Sequence, residues 1–228
     1  MIRYIFNSEE EWLNARKGLF TSSEVNTLMA DPTKKEIESG EVLSKGAKTY
    51  ILEKVVEQIA HTEPMFITFD MQRGKELEPQ AVLSFAEYLN KSVNDDDFIY
   101  TSIGGIVFFT DDENTFGGTP DIIIGNKIVE IKCPKSITHL RNLRLKDWIE
   151  FRNEYQNYYD QIQLNIHLTN SESAYFVSYD DRFNDKSLHL KVIEVPKDKE
   201  RIMQLLSKIK QSVEFKNQIL NELKYIAQ

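Results

Sequence analysis

A single cysteine, Cys133, in a chain of 228 residues rules out an intrachain disulfide and an iron–sulfur cluster ligated by cysteines. Long apolar runs are also missing. None approaches the ~20 residues that span a bilayer, and the opening Met-Ile-Arg-Tyr-Ile-Phe is too short for the apolar core of a signal peptide, so a cytoplasmic protein is expected. His61, His139, His167 and His189 are scattered without ligand spacing, and none is assigned to a metal. Repeats and low-complexity tracts are absent. Positive charge is in short supply: a net charge of −8 argues against a protein that coats nucleic acid, because nonspecific affinity comes mainly from phosphate neutralisation by Lys and Arg. What is there is enough apolar material, 41% of the chain, to bury one sizeable core, and residues 1–228 read as a single α/β or α+β domain.

The cations present are unevenly spread. Lys132, Lys135, Arg141, Arg144 and Lys146 fall between Ile131 and Lys146 with no carboxylate among them, a pattern suited to tracking a phosphate backbone. Along the chain, Ser8-Glu-Glu-Glu11 reads as a capping box opening a helix through Trp12 and Arg16 that stops at Gly18. A second helix is expected from Thr21-Ser-Ser-Glu, then a polar loop over 31–44. A helix over Lys45 to Ile59 should place Ile51, Leu52, Val55, Val56 and Ile59 on one side. The helix carrying Leu77, Val82 and Phe85 either begins at Pro79 or kinks beside Glu78. Strands are expected at Phe98 to Ile103, Ile106 to Thr110, Ala174 to Tyr179 and Leu188 to Val195. A long helix runs through Tyr155, Tyr159, Ile162 and Ile166, and helical periodicity closes the chain from Lys197 to Ala227. The expected core is a small mixed central sheet flanked by helices.

The most informative segment is Gly118-Thr-Pro-Asp121, followed by two β-branched runs around Gly125-Asn126 and ending Glu130-Ile-Lys132. A two-residue hairpin turn at Gly125-Asn126 pairs Ile124 with Lys127, Ile123 with Ile128 and Ile122 with Val129, which sets Asp121 opposite Glu130. Opposed side chains have Cβ atoms roughly 4.5–5.5 Å apart, and two carboxylates there repel unless a cation sits between them. Lys132, two residues past Glu130, turns to the same face. Mg²⁺ takes a few carboxylates plus waters and phosphate oxygens, so the hairpin points to metal-assisted phosphodiester hydrolysis.

Pro-Asp, an apolar stretch and Glu-X-Lys resemble the PD-(D/E)XK nuclease motif. Trp12-Leu-Asn-Ala-Arg16-Lys-Gly18 with Thr-Ser-Ser23-Glu-Val25, Gly74-Lys-Glu-Leu-Glu78, Tyr158-Tyr-Asp-Gln161-Ile-Gln163 and Tyr175-Phe-Val-Ser-Tyr179 occur in the order and approximate spacing of lambda exonuclease. The chain thus resembles the lambda-exonuclease-like (YqaJ-type) viral recombinase nucleases over nearly its whole length. The resemblance implies a restriction-endonuclease-like core and a Mg²⁺-dependent enzyme, Mn²⁺ substituting, with two ions per site. It implies 5′→3′ degradation of double-stranded DNA to leave a 3′ single strand, a homotrimeric ring, an annealing protein as partner, and a phage or prophage setting. Asp121, Glu130 and the Ile131 carbonyl are implied as metal ligands, with Glu78 supporting the second ion. Lys132 is implied to orient or deprotonate the attacking water, its pKa depressed by a neighbouring metal ion, and Arg16 and Ser23 to hold the 5′ phosphate. Gln161 is implied to approach the active site, and Tyr158 and Lys135 to line the DNA path. The chain departs from the family pattern at Arg73, where an aromatic is expected, and at Pro79, directly after Glu78. A restriction-type or structure-specific endonuclease on the same core is the nearest alternative enzyme. A catalytically idle DNA-binding scaffold is the alternative of another class.

Overall fold

The computed structural model describes residues 1–60, 68–102 and 105–226. In chain order the elements are β1 (Ile2–Phe6), α1 (Glu9–Arg16), β2 (Phe20–Thr21), a 3₁₀ turn Val25–Met29, α2 (Lys34–Glu38), α3 (Lys45–Ile59) and α4 (Phe69–Tyr88). Then come β3 (Phe98–Tyr100), β4 (Ile106–Thr110), β5 (Phe116–Gly118), β6 (Ile122–Ile124), β7 (Lys127–Lys132), α5 (Ser136–Arg144), α6 (Trp148–Glu154) and α7 (Gln156–Thr169). The chain closes with β8 (Ser173–Tyr179), a 3₁₀ turn Lys186–Leu188, β9 (Leu190–Pro196) and α8 (Lys199–Ile226). The expected strand end at Ile103, His61 and the helix end at Ala227 lie outside the described residues.

The mixed α/β class holds, but the sheet is not single. One sheet has the order β1-β4-β5-β2 and the other β3-β6-β7-β8-β9. Both are mixed: β2 runs parallel to β5 and β7 parallel to β8, the remaining pairs antiparallel. The first sheet escaped the sequence reading because β2 and β5 are two and three residues long, too short for a period of two to register. The chain crosses from one sheet to the other over Thr119-Pro120-Asp121, between β5 and β6. Thr101 secures that crossing, its amide donating to the Asp121 carbonyl at 3.1 Å and its hydroxyl to the Pro120 carbonyl at 2.6 Å.

Alternation along β7 divides the core. Val129 and Ile131 pack with Ile122, Val177 and the α4 residues Val82 and Phe85, whereas Ile128 packs with Phe176, Tyr159 and Ile162 of the α7 side. A third cluster joins α3, α8 and the first 3₁₀ turn around Phe20, Ile51 and Leu205. Asp160, fully buried, ties α7 to α8: it accepts from Arg201 Nε and an Arg201 terminal nitrogen, each at 2.7 Å, from Asn26 Nδ2 at 2.7 Å and from Gln156 Nε2 at 2.8 Å.

Several local expectations are corrected. The helix expected at Thr21 is the five-residue 3₁₀ turn Val25–Met29, preceded by β2 and capped by no side chain. The 31–44 loop contains α2, opened by a capping box between Thr33 and Glu36 that stands plainly in the sequence. In α1, Ser8 caps Glu11 as expected, but the Glu11 carboxylate accepts from the amide of Asn7 rather than of Ser8. The buried face of α3 is Ala47, Tyr50, Ile51, Lys54 and Val55, leaving Leu52, Val56 and Ile59 exposed. Helix α4 begins ten residues before Pro79 and continues through it, its fit to the sheet outweighing one missing bond. The long helix expected across Tyr155 is broken there into α6 and α7, with Tyr155 at φ −132° and ψ 64°. Arg73 serves the fold: it donates to Asp180 at 3.1 Å, to Asp181 at 3.4 Å and to the Pro134 carbonyl at 3.4 Å, pinning α4 to the ends of β7 and β8.

Because Asp160 is fully buried, removing its guanidinium partner leaves a carboxylate whose desolvation is no longer met. Arg201→Met is expected to destabilise the protein by about 3–5 kcal/mol, read from the urea midpoint at constant slope.

Candidate active site

The hairpin register is as the turn dictates: Ile124 faces Lys127, Ile123 faces Ile128 and Ile122 faces Val129. Gly125, the first turn residue, has φ 56°, a conformation that costs glycine little. One step further, the ladder gives way at Asp121. Its amide donates to the Val129 carbonyl at 3.0 Å, while its side-chain Oδ2 accepts from the Ile131 amide at 2.6 Å. Asp121 is thereby fixed from both ends beside Glu130.

Glu130 is 1% exposed and faces α7, as the alternation of β7 requires. One carboxylate oxygen accepts from Gln161 Nε2 at 2.7 Å and the other from Asn165 Nδ2. Lys132, on the same face, has its ammonium 3.6 Å from Glu130 and 5.4 Å from the centre of the Tyr158 ring. Glu78, on α4, accepts from the Tyr100 hydroxyl at 2.8 Å.

These charges disturb one another. Burial, then the charge of Asp121, pushes the Glu130 carboxyl up to about 8, against the pull of Lys132 and Asn165. The same two causes, burial first, push Glu78 up to about 7, with the Tyr100 bond opposing. Burial raises Asp121, opposed by Lys132 and the Ile131 amide. For Lys132 burial acts downward, but Glu130 and Asp121 outweigh it and raise the ammonium's pKa. Three carboxylates thus crowd one lysine, with more negative charge than the protein itself neutralises. Buried Asn165 Oδ1, without a hydrogen-bond partner among the described residues, lies beside them. Carboxylate and amide oxygens with unmet negative charge are a donor set that fits a hard divalent cation and its waters. Among the described residues no three His, Cys, Asp or Glu side chains are placed so that they could hold a metal ion by themselves.

One cavity of about 450 Å³ is lined by Glu78, Asp121 and Gln161 and also by Arg16, Thr21 and Ser23. Trp12, Tyr100 and Thr119 line it too, and Trp12 Nε1 donates to the Thr119 hydroxyl at 3.2 Å. The Arg16 guanidinium stands 4.2 Å over the Trp12 ring and makes no hydrogen bond or ion pair among the described residues. Ser23 is exposed, and its hydroxyl lies 3.2 Å from that of Thr21. With only a 3₁₀ turn following, no α-helix begins behind Ser23, and the cations that line the cavity are Arg16 and Lys75. Gly118 also lines the cavity. A Cβ there would overlap Asn165 Oδ1 and stand 2.5 Å from Ser22 Oγ, so only glycine lets β5 approach α7.

The structure therefore brings together Asp121, Glu130, Lys132, Glu78, Gln161 and Arg16. Tyr158 backs Lys132, stacked on Phe176 with ring centres 6.0 Å apart. Lys135 lies on the exposed surface as the N-cap of α5, whose Arg141 and Arg144 are exposed as well. Gln163 differs from Gln161: it bonds the Pro196 carbonyl and the Asp198 amide, each at 2.8 Å, away from the carboxylates. Sequence reading missed Asn165, Tyr100 and Thr119. Asn165 was findable, since it stands one helical turn after Gln161 on the same face. His139 and His189 bond the backbone carbonyls of Leu188 and Phe183.

The two mixed sheets with their flanking helices have the fold of the lambda-exonuclease-like nucleases. The alkaline exonuclease LHK-Exo from Laribacter hongkongensis superposes with a TM-score of 0.71 at 26% identity, over 96% of this chain and 97% of that one. Its complex with dAMP gives 0.72 at 25% identity over the same shares. A phage-related exonuclease from Haemophilus somnus 129PT shares the fold, with a TM-score of 0.67 at 16% identity over 90% and 96%. No curated protein matches the chain. Residues 11–172 match the YqaJ-like viral recombinase domain, and the chain belongs to that family.

Carboxyls with raised pKa keep protons that the unfolded chain has lost, so Glu130 makes the fold less stable as pH rises from its ordinary 4.5 to about 8. His139 and His167, both lowered by burial, act in the opposite sense near neutrality. Glu130→Gln isolates the carboxylate. In a chelating buffer, the melting temperature of Glu130→Gln minus that of the wild-type protein should grow from pH 5 to pH 8; a constant difference would contradict the burial of charge at this site.

Proposed function

We propose that the protein is a Mg²⁺-dependent exonuclease that degrades double-stranded DNA from a 5′ end and leaves a 3′ single strand for an annealing protein. The observation that carries this reading is the single cavity lined both by Glu78 and Asp121 and by Arg16, whose guanidinium stacks on Trp12 and forms no salt bridge among the described residues. A phosphate held by Arg16 sets a phosphodiester against the acidic residues, which is how a nuclease counts from an end. The complex of similar LHK-Exo with dAMP, a nucleoside monophosphate, supports the same reading.

Asp121, Glu130 and the Ile131 carbonyl would hold Mg²⁺, and Glu78 a second ion; Mn²⁺ meets the same oxygen donors. Bound there, the metal would polarise the scissile phosphate and make a ligated water more acidic. The protein's own groups do the positioning. Gln161 and Asn165 fix the Glu130 carboxylate, leaving its remaining lone pairs for a ligand. Lys132, beside Glu130, is placed to orient or deprotonate the attacking water and to meet phosphate charge. Arg16, with Thr21 and Ser23, holds the terminal 5′ phosphate, and Tyr158 steadies Lys132. Lys135, Arg141 and Arg144 follow the backbone outside. Three copies of that basic segment around one channel would concentrate positive potential that a chain of net charge −8 otherwise lacks, which favours a homotrimer, measurable by light scattering.

Asp121→Ala should abolish cleavage and weaken Mn²⁺ binding by calorimetry, whereas Lys132→Ala should abolish cleavage and keep Mn²⁺ binding. Retained activity in Asp121→Ala would remove the site assignment.

Charge-assisted bonds from a guanidinium to phosphate contribute about 1.5–3 kcal/mol, a ten-fold or larger preference over a hydroxyl end. Arg16→Ala should therefore slow digestion of 5′-phosphoryl duplex about ten-fold or more and bring it near the 5′-hydroxyl rate. A wild-type enzyme that treats both ends alike, or opens closed circles as readily as it resects ends, would favour an endonuclease instead.

A further inference from the structure

Helix α1, which presents Arg16 and Trp12 to the cavity, has no buried residue of its own. Packing alone does not fix it, and eight residues are too few to hold a helix by propensity. Its end is instead gripped at Gly18. The Gly18 amide donates to Glu57 Oε2 at 3.0 Å, and the Gly18 carbonyl accepts from the ammonium of Lys216 at 2.6 Å. Gly18 has φ 74°, and the Leu19 amide closes the turn on the Arg16 carbonyl at 3.1 Å, so the grip lies two residues from Arg16.

Lys216 comes from α8, far along the chain and beyond residues 11–172 that the family shares. It is 7% exposed, lies 5.6 Å from the Phe20 ring, and is a costly choice for stability alone. An apolar residue of similar volume generally serves a buried position as well or better. Lys54, 6% exposed, completes the arrangement: its ammonium is 2.9 Å from Glu57 and 3.4 Å from Glu24. Glu24 in turn accepts from the hydroxyls of Thr21 and Tyr50, each at 3.2 Å. Two buried lysines and two carboxylates thus connect α8 and α3 to the α1 terminus and the Thr21–Ser23 segment.

We propose that Lys216 is a positioning residue for DNA-end recognition: with Glu57 it clamps Gly18 and so fixes where Arg16 meets the 5′ phosphate. The proposal rests on the reading of Arg16 as the phosphate ligand. It makes the C-terminal helix part of the end-reading apparatus although none of its residues lines the cavity.

The test is a double-mutant cycle on the full-length protein, measuring digestion of 5′-phosphoryl and 5′-hydroxyl duplexes in Mg²⁺ together with melting temperature. Lys216→Met keeps the side chain's length and removes its charge. The expected result is a loss of end preference of about ten-fold, carried by the phosphorylated substrate, with the melting temperature held or raised, and no further loss when Lys216→Met is added to Arg16→Ala. Equal slowing on both ends, or losses that add in the double variant, would overturn the proposal. Glu57→Leu removes the acceptor of the Gly18 amide and should give the same selective loss; if Lys216→Met does not fold, an unselective loss in Glu57→Leu overturns the proposal by itself. If Arg16→Ala abolishes end preference and neither clamp variant does, the clamp falls and the phosphate pocket stands. If Arg16→Ala leaves end preference intact, both fall together.

Discussion

Glu130 places a carboxylate within a sheet at 1% exposure, and such a group persists only where donors and a cation meet it. Gln161 and Asn165 supply the donors and Lys132 the cation, which obliges α7 to present two amides one turn apart and β7 to carry a lysine two residues on. The remaining excess of negative charge on Asp121 and Glu78 is left within reach of a cavity. A fold that solved the burial of Glu130 fully, with a second lysine, would be more comfortable and chemically inert.

Position follows from topology. Sheet-to-sheet transit over Thr119-Pro120-Asp121 sets the acidic residues at a seam, with the cavity opening beside it rather than over the middle of either sheet. Gly118 permits the closest approach at that seam, and Thr101 holds the crossing backbone that would otherwise have no ladder partner. The lining then comes from distant parts of the chain: α1 and β2, α4 and the hairpin, and α7.

Much of this was legible before any coordinates. The Gly125-Asn126 turn fixed the hairpin register because side-chain facing alternates strictly, and a one-residue error would have sent Glu130 to the α4 side. Helix α3 was legible to the residue from its periodicity, yet its buried face was not, because an apolar stripe wider than the contact leaves Leu52, Val56 and Ile59 in solvent. The first sheet was illegible for a different reason. Strands as short as β2 are stabilised by partners far away in sequence, not by any local pattern. Among the residues that line the cavity, Arg16, Glu78, Asp121 and Gln161 were named from the sequence, while Tyr100 and, although inside a motif, Thr119 were not. Their roles arise from what the fold places beside them, Glu78 and Trp12, and nothing in their own neighbourhood announces it.

Helix α1 makes no contribution to the core, and this frees its sequence. Positions such as Glu10, Leu13 and Asn14 face outward and touch nothing on which the fold depends. Substitution there is therefore nearly neutral for stability, and the demands on the segment reduce to a cap at Ser8, the three cavity residues Glu9, Trp12 and Arg16, and a glycine. A lineage can drift across most of this helix, or remodel its outer face to suit a different neighbour, without losing the folded protein. Adaptation at the mouth of the cavity is thus uncoupled from the integrity of the interior.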